Sequence, residues 1–255
     1  AELSVRLSDV HFGVGSDGLI LICPSDRADF EMRMFNADGS EGKMCGNAIR
    51  CVGKYVYDRG FTDRKTLQID TRSGVKTLEL TLEDDGKVST VRVDMGRASL
   101  RARDIPVETD YDDFVSQPML VHGEVFLVTC VSMGNPHAVI FCDDVEDLPL
   151  EDIGPLFENH EKFPDRINTE FIELVDRQTL KMRVWERGSG ETFACGTGAC
   201  AAVVAAVVNG HCDAGDEVTV RLRGGELKIT CREDFTVLME GPAAHVFDGV
   251  MEIDL

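Results

Sequence analysis

The sequence has little positive charge, and this scarcity excludes several classes of protein. Its 26 lysines and arginines stand against 46 aspartates and glutamates, which gives a formal net charge of −20 at pH 7. Nucleic-acid binders carry basic patches for phosphates, and an anionic membrane surface would repel this chain. Long apolar runs are scarce as well, because ACAAVVAAVV from residue 199 is too short to span a bilayer. We therefore expect neither nucleic acid nor a membrane among the partners.

Metal-binding patterns are missing from the sequence too. The nine cysteines include no CxxC pair, and neither they nor the six histidines show the paired spacing of zinc ligands. We therefore expect no metal cofactor. An odd number of scattered cysteines is typical of a protein in a reducing compartment, so free thiols and a cytoplasmic location are predicted.

The chain does have a globular composition and an internal repeat. Its 255 residues, 43% of them hydrophobic, suffice for one large domain or two of ordinary size. MRMF at residues 32–35 aligns with MRVW at 182–185, a spacing of 150 residues. Chance matches would scatter their spacings, so one shared spacing indicates two copies of one unit. The other residues matched at this spacing are Glu41 with Glu191, Cys45 with Cys195, Gly46 with Gly196 and Gly60 with Gly210.

The acidic, turn-rich stretch at residues 108–118 is the predicted division between the two copies. Residues 1–115 would then form an N-terminal half that contains Cys45, and residues 116–255 a C-terminal half that contains Cys195. The last strand of the chain is a candidate to cross over to the first half.

Each copy predicts the same local structure. A strand of alternating character ends in a glycine-containing turn, and the Cys-Gly pair follows it. A helix with apolar residues three and four positions apart comes next, and it stops at Gly60 or Gly210. Short strands complete each copy. We therefore predict an α+β fold of two pseudo-symmetric halves, each a mostly antiparallel curled sheet or barrel around a central helix.

Cys45 and Cys195 differ from the other cysteines because each stands at the predicted start of a helix and precedes a glycine. Helix N-termini favour thiolates, lower cysteine pKa values and bind carboxylates. With the halves face to face, a thiolate can remove a proton from one face of a carbon while a thiol delivers one to the other. The pair therefore predicts stereochemical inversion. The other cysteines are interpreted as packing residues: Cys23, Cys51, Cys130, Cys142, Cys200, Cys212 and Cys231.

Three segments resemble the signature segments of one family. FNADGSEGKMCGNAIRC from residue 35 and RVWERGSGETFACGTGACA from residue 183 resemble the two cysteine-bearing segments of diaminopimelate epimerases, and GNPHAV at 134–139 resembles a third. The resemblance covers nearly the whole chain. It implies interconversion of LL- and meso-diaminopimelate in lysine and peptidoglycan precursor biosynthesis, without pyridoxal phosphate, metal or another cofactor. It also implies a small-molecule amino-acid substrate and a homodimer.

The resemblance also implies roles for particular residues. Cys45 and Cys195 match the catalytic acid–base pair, and His137 matches a supporting histidine near them. The matching substrate-binding residues are Asn36, Gly46, Asn47, Asn135, Asn168, Glu186, Arg187, Gly196 and Thr197. The residue chemistry agrees, since arginine grips a carboxylate with two parallel hydrogen bonds and asparagine both donates and accepts. Gly18, opposite Asn168 in the repeat, has no polar side chain, which puts a substrate contact there in doubt.

Two other kinds of protein stay open. One is a racemase of another amino acid on the same fold. Proline racemase relatives usually have histidine after the first Cys-Gly, where this chain has Asn47, and histidine racemases of similar build are harder to exclude. The other is an isomerase of the phenazine-synthesis type or a non-catalytic relative, which would be expected to lack one or both cysteines.

The second copy opens with EVFLVTCVSMGNPHAVIFCDD at residues 124–144, which predicts a strand, a loop and a strand. At the repeat spacing its counterpart would precede residue 1, so the first copy is expected to lack about twenty-five residues. The resemblance implies a strand and a glycine-rich loop with a substrate-binding asparagine there. Open strand edges favour aggregation, so we expect weak activity or none from this chain, and rescue by an added strand–loop–strand.

Overall fold

The computed structural model describes residues 1–252, in which helices pack against one continuous mixed sheet. The helices are α1 (Glu2–Ser8), α2 (Gly46–Asp58), α3 (Leu150–Glu158) and α4 (Gly196–Val208), and a 3-10 turn covers Ala102–Asp104. The strands are β1 (Gly18–Cys23), β2 (Phe30–Asn36), β3 (Glu41–Gly42), β4 (Thr66–Asp70), β5 (Lys76–Leu82), β6 (Val88–Arg97), β7 (Gln117–Val121), β8 (Glu124–Ser132), β9 (Pro136–Cys142), β10 (Asn168–Asp176), β11 (Thr179–Glu186), β12 (Gly190–Thr192), β13 (Glu217–Leu222), β14 (Gly225–Cys231) and β15 (Thr236–Pro242). Within residues 1–252, no helix is long and apolar enough to cross a bilayer.

The order of the strands shows the repeat. From edge to edge the sheet runs β1-β2-β4-β5-β6-β15-β14-β13-β11-β10-β9-β8-β7, with β3 on β2 and β12 on β11. Read outward from the centre, β6 matches β15, β5 matches β14, β4 matches β13, β2 matches β11 and β1 matches β10. At the centre, Val91 pairs with Gly241, its own counterpart 150 residues later. A pseudo-twofold axis therefore passes through this pair, and the predicted fold class is confirmed.

Each half of the mostly antiparallel sheet contains a parallel pair of strands on either side of its central helix in the chain. β2 runs parallel to β4, and β11 runs parallel to β13. In both cases the central helix lies between the two strands in the chain. A helix of this kind returns the chain to the end of the sheet where the first strand began, so the next strand runs in the same direction. Apart from the parallel pair of β9 and β10, the other described pairs are antiparallel.

The two central helices stop in the same way. Gly60 and Gly210 follow α2 and α4 with positive φ angles, both 75°, which glycine adopts without strain. In α2, the Phe61 N–H donates to the Val56 carbonyl and the Gly60 N–H to the Tyr57 carbonyl, and α4 repeats both bonds. These bonds satisfy the final carbonyls of each helix. The helix ends predicted from the two glycines are confirmed.

The two halves differ in what covers the central helix. In the second half, β9 and β8 continue the sheet beyond β10, and α4 is buried over residues 198–206. Among residues 1–252, β1 is the outermost strand of the first half, and α2 leaves Cys51 and Tyr55 exposed. The open face of α2 and β1 lines a groove of about 1520 Å³.

The chain after β6 packs with the second half. Ala102, Ile105 and Phe114 share an apolar cluster with residues of β7 to β10 and of α3. The last strand, β15, pairs with β14 on one side and with β6 on the other, so the sheet runs without a break between the halves. The division between residues 115 and 116 stays a prediction.

Candidate active site

Cys45 and Cys195 hold the same position at the start of α2 and α4. Each is the N-cap residue, with φ −136° and ψ 122° for Cys45 and φ −129° and ψ 110° for Cys195. The two helices meet at these ends, because a β-carbon built on Gly46 would lie 3.8 Å from the Gly196 α-carbon. It would also lie 2.8 Å from Met239 Cε. Two helix N-termini, each with unpaired N–H groups, are thus brought to one place.

A repeated ion pair braces the turn before each cysteine. Arg33 Nε donates to Glu41 Oε1 at 2.9 Å between β2 and β3, and Arg183 Nε donates to Glu191 Oε1 at 2.8 Å between β11 and β12. The Arg183 side chain is 7% exposed, whereas that of Arg33 is 43% exposed. The glutamates that the repeat matched therefore bind arginines of the neighbouring strand, and they hold the hairpins that lead into the cysteines.

Predicted site residues from two elements meet at Cys195. Its Sγ lies 3.6 Å from Thr197 Oγ1 on α4. The Asn135 side chain, in the loop before β9, donates to the same hydroxyl at 3.2 Å. The loop and the helix start are thus joined next to the buried sulfur, and the hydroxyl is held where it can donate to Sγ.

His137 and Glu170 form a fully buried pair close to Cys195. His137 Nδ1 lies 2.7 Å from Glu170 Oε1, and both side chains are 0% exposed. A β-carbon on Gly198 would lie 2.6 Å from Glu170 Oε1 and 3.2 Å from Cys195 Sγ, so these two atoms are within about 6 Å of each other, the range of strong charge interaction. In residues 1–252, His137 Nε2 and Glu170 Oε2 have no hydrogen-bond partner. Such buried polar atoms are rare in packing and typical of a functional site.

Asn168 orders the turn that carries Glu186 and Arg187. Its side-chain oxygen accepts from the Arg187 backbone N–H at 3.0 Å. Glu186 accepts from the Thr192 hydroxyl at 2.5 Å, and the exposed Arg187 guanidinium donates to the Asp165 carbonyl at 3.0 Å. The structure therefore brings this predicted trio together at the end of β11.

The predicted residues of the first half have their own local partners. Asn36 is exposed, and its side chain donates to Ser40 Oγ at 2.9 Å. Asn47 is exposed too, and its side-chain oxygen accepts from Arg50 Nη2 at 3.2 Å. Substrate contacts of both asparagines stay predictions.

The expected lowering of cysteine pKa by the helix N-terminus is wrong for Cys195. Burial raises the pKa of this thiol well above its ordinary value, and the carboxylates of Glu186 and Glu170 raise it further. The residue is 6% exposed, so the loss of hydration outweighs the helix dipole. Cys195 is therefore held as a thiol.

Most of the other cysteines fit the packing interpretation. Cys200 and Cys231 are buried, and burial raises the pKa of Cys200 to about 12 and that of Cys231 to about 11. Cys130 and Cys212 are buried as well. Cys51 is the exception, because it is exposed on the open face of α2.

Sequence reasoning missed two buried charged residues beside the cysteines. Arg50 lies on α2 and Glu170 on β10, and the repeat places Cys200 and Ile20 at the matching positions. A comparison of repeats selects residues that match, so it passes over residues that differ. A search for positions that are charged in one copy and uncharged in the other would have found Arg50 and Glu170.

Gly154 lets α3 pack closely against Trp185, which lies just before the turn that carries Arg187. A β-carbon on Gly154 would lie 2.3 Å from Trp185 Cδ2, and the Trp185 indole donates to Glu158 Oε2 at 2.7 Å. We expect Gly154→Ala to lower the free energy of unfolding by about 1–3 kcal/mol, because the ring must move. Urea unfolding measures the change, with Leu156→Ala on the exposed side of α3 as the control. Equal midpoints for the two variants would contradict the expectation.

The fold of the chain is also found in solved structures of other proteins. Three solved structures share the fold, and at their low identities the likeness concerns the fold alone. A hydroxyproline epimerase from Agrobacterium vitis has a TM-score of 0.70 at 13% identity, over 93% of this chain and 75% of that one. A probable proline racemase from Agrobacterium radiobacter has a TM-score of 0.69 at 14% identity, over 93% of this chain and 77% of that one. A phenazine biosynthesis protein from Bacillus anthracis has a TM-score of 0.60 at 16% identity, over 89% of this chain and 81% of that one. The chain therefore has the fold that these three proteins share.

The chain belongs to the diaminopimelate epimerase family. The family model for diaminopimelate epimerase matches residues 2–101 and 129–246. A diaminopimelate epimerase from Acetivibrio thermocellus is 57% identical over 100% of this chain and 90% of its own length. Those from Methanococcus maripaludis strain S2 and Bacillus cereus strain AH187 are 55% and 49% identical over 99% of this chain, and over 90% and 88% of their own lengths. The resemblance predicted from three segments is confirmed.

Proposed function

We propose that the protein converts LL-diaminopimelate to meso-diaminopimelate by a two-cysteine acid–base mechanism. The observation that carries the proposal is the meeting of two helix N-termini, each capped by a cysteine that a glycine follows. The substrate is supported by the name of the family and of relatives at 49–57% identity. Lysine and peptidoglycan precursor biosynthesis are the uses that this product implies.

The reaction removes one proton and delivers another. In the proposal, the thiolate of one cysteine takes the α-proton, and the thiol of the other gives its proton to the opposite face of the carbon. The reacting carboxylate lies against the helix starts, whose partial positive charge stabilises the developing carbanion. Burial of Cys195 excludes water, which strengthens these interactions. The residues proposed to hold that carboxylate are Gly46, Asn47, Gly196 and Thr197.

The distal end of the substrate is a second amino-acid group, and the proposed site offers partners for it. The Arg187 guanidinium reaches the surface at the end of β11, where two of its N–H groups can grip a carboxylate. Glu186 accepts hydrogen bonds from an ammonium group. The asparagines proposed to hold the substrate are Asn36, Asn135 and Asn168, with His137 in a supporting role.

A chiral assay in deuterated water tests the proposed substrate. We expect LL-diaminopimelate to gain deuterium at one α-carbon as the meso product forms. Proline, histidine and glutamate serve as competing substrates in parallel reactions. Inversion of one of these, with none of diaminopimelate, would identify a racemase of another amino acid on this fold.

Thiol reagents should abolish the reaction, because the acid and the base are both thiols in this proposal. Two neighbouring thiols can also join as a disulfide, so oxidants should inactivate the protein and reductants should restore it. Chelators and carbonyl reagents should leave the rate unchanged, since the mechanism needs neither a metal nor pyridoxal phosphate. Loss of activity on dialysis against a chelator would contradict this.

We further propose a homodimer in the cytoplasm, as the family resemblance implies. Sedimentation equilibrium tests the oligomeric state, and a mass near that of one chain at micromolar concentration would contradict it. Cell fractionation tests the location.

A further inference from the structure

The turn after β11 carries a charged side chain that its counterpart in the first half lacks. At the repeat spacing, Arg187 matches Ala37. The helix α3 matches α1 at the same spacing, and their last residues are Glu158 and Ser8. Both differences place an ionisable residue in the second half, where the first half has a small neutral one. The turn proposed to bind the distal end of the substrate is therefore accompanied by a change in the helix behind it.

Glu158 is a buried carboxylate that accepts three hydrogen bonds. It is 6% exposed. Its Oε2 accepts from the indole of Trp185, near the end of β11, at 2.7 Å. Its Oε1 accepts from the Gly188 backbone N–H within the turn at 2.9 Å. The same oxygen accepts from Arg166 Nη1, in the segment before β10, at 3.0 Å. One side chain thus joins the end of α3 to β11, to the turn and to the segment before β10.

The three donors to this carboxylate surround Arg187. Trp185 and Gly188 flank it along the chain. Arg166 follows Asp165, whose carbonyl accepts from the Arg187 guanidinium at 3.0 Å. Arg166 also has a φ of 58°, an uncommon conformation for a residue with a side chain, so this segment is held in one particular shape. The carboxylate therefore fixes both the backbone that carries the guanidinium and the segment that the guanidinium contacts.

The matching contact in the first half is made by neutral groups. Ser8 Oγ lies 3.3 Å from Ser16 Oγ, and these two positions match Glu158 and Arg166 in the repeat. Hydrogen bonds to a charged group are stronger than those between two hydroxyls. The stronger contact occurs in the half whose turn carries a guanidinium. This coincidence indicates a role in substrate recognition, since a requirement of the repeated fold would appear in both halves.

We propose that Glu158 is a positioning residue for the distal end of the substrate: it holds the turn so that the Arg187 guanidinium stays where the distal carboxylate binds. The inference rests on the proposed function and deepens its substrate recognition. Glu158 does not touch the substrate, because both of its oxygens accept from protein donors. It acts on the end of the substrate that is remote from the two cysteines, so proton transfer itself does not depend on it.

The single tryptophan of the chain allows a test without substrate. Glu158→Met keeps a long side chain but removes both acceptors, so the Gly188 N–H and the Trp185 indole lose their partner. Backbone amide exchange of residues 186–190, measured by mass spectrometry on the full chain, should speed about tenfold, since each opening no longer breaks a bond to a charged group. The emission of Trp185 should shift as well. Ser8→Ala is the matched control from the first half and should change neither signal.

Steady-state kinetics with LL-diaminopimelate measure the effect on the substrate. Glu158→Met should raise KM about tenfold and leave kcat within about twofold, because the distal contact holds substrate and transition state alike. In an Arg187→Ala background the same substitution should have no further effect, since a residue that acts through Arg187 has nothing left to position. Additive losses in the double variant, or a lower kcat at unchanged KM, would show a general structural role and overturn the proposal.

The outcomes separate this proposal from the proposed function. If the parent chain does not epimerise LL-diaminopimelate, the proposed function fails, and amide exchange then decides whether Glu158 holds the turn. Unchanged exchange in folded Glu158→Met overturns the proposal. If Glu158→Met does not fold by circular dichroism, Glu158→Gln decides, because its amide replaces only one of the two carboxylate oxygens as an acceptor. Unchanged exchange together with unchanged emission in that variant overturns the proposal.

Discussion

Cys45→Ala and Cys195→Ala should each lower epimerisation by at least about 10³-fold relative to the parent chain, within the range that a positioned acid or base contributes. The reason is geometric. Each cysteine caps a different helix, so the one that remains serves only one face of the α-carbon. It can remove a proton and return it to the same face, which exchanges hydrogen without inversion. Deuterium incorporation and chiral chromatography, measured together, separate exchange from inversion.

Cys142→Ala is the control for these variants. Cys142 is half-buried on β9, and burial raises the pKa of its thiol to about 11, so it takes no part in proton transfer near neutral pH. We expect a loss of about 1 kcal/mol of stability and an unchanged rate. Full activity in Cys195→Ala would eliminate the two-base mechanism.

Arg183→Ala should destabilise the protein by about 3 kcal/mol, the cost of leaving several buried acceptors without a charged donor. Arg183 Nη1 donates to the carbonyls of Val145, Glu146 and Leu148 at 2.7–2.9 Å, and the guanidinium also binds Glu191. Alanine would leave the three carbonyls unsatisfied. Urea unfolding followed by circular dichroism measures the change.

The pseudo-symmetry provides the matched control. Arg33 makes the equivalent bond to Glu41 at 2.9 Å, but its side chain is 43% exposed and water can replace the bond. Arg33→Ala should therefore cost less than about 1 kcal/mol, as exposed ion pairs do. Similar losses for the two variants would show that burial of Arg183 does not decide its contribution.

The repeat spacing predicted much of the fold because the residues that match at this spacing mark where helices begin and end. Gly60 and Gly210 stop helices in a conformation that favours glycine, and Cys45 and Cys195 mark the helix starts. The direction of β4 and β13 was not predicted, since alternation along a strand says nothing about which way its neighbour runs. The pairing of those strands depends on the position in space at which α2 and α4 end, because β4 and β13 follow these helices in the chain.

The sequence predicted the residues of the candidate site that match between the two copies or match the family segments. It missed the residues that have no such match. Asn135 and Thr197 meet at Cys195 as the family segments indicate. Arg50 and Glu170 are both buried, yet in the sequence each is a single ionisable residue in an apolar element. The raised pKa of Cys195 depends on burial from several elements, which no local pattern contains.

The pairing of β6 with β15 has a consequence for how the protein is made. β6 ends at Arg97, whereas β15 begins at Thr236, so a ribosome releases the first strand long before the second. During that interval the N-terminal half presents β6 as an open edge, a template for wrong partners. The pairing of β6 with β15 is therefore a long-range contact, and it can form only after the last strand has been made. A chain that terminates before residue 236 would lack this seam and leave β6 and β14 unpaired on the sides that now face β15.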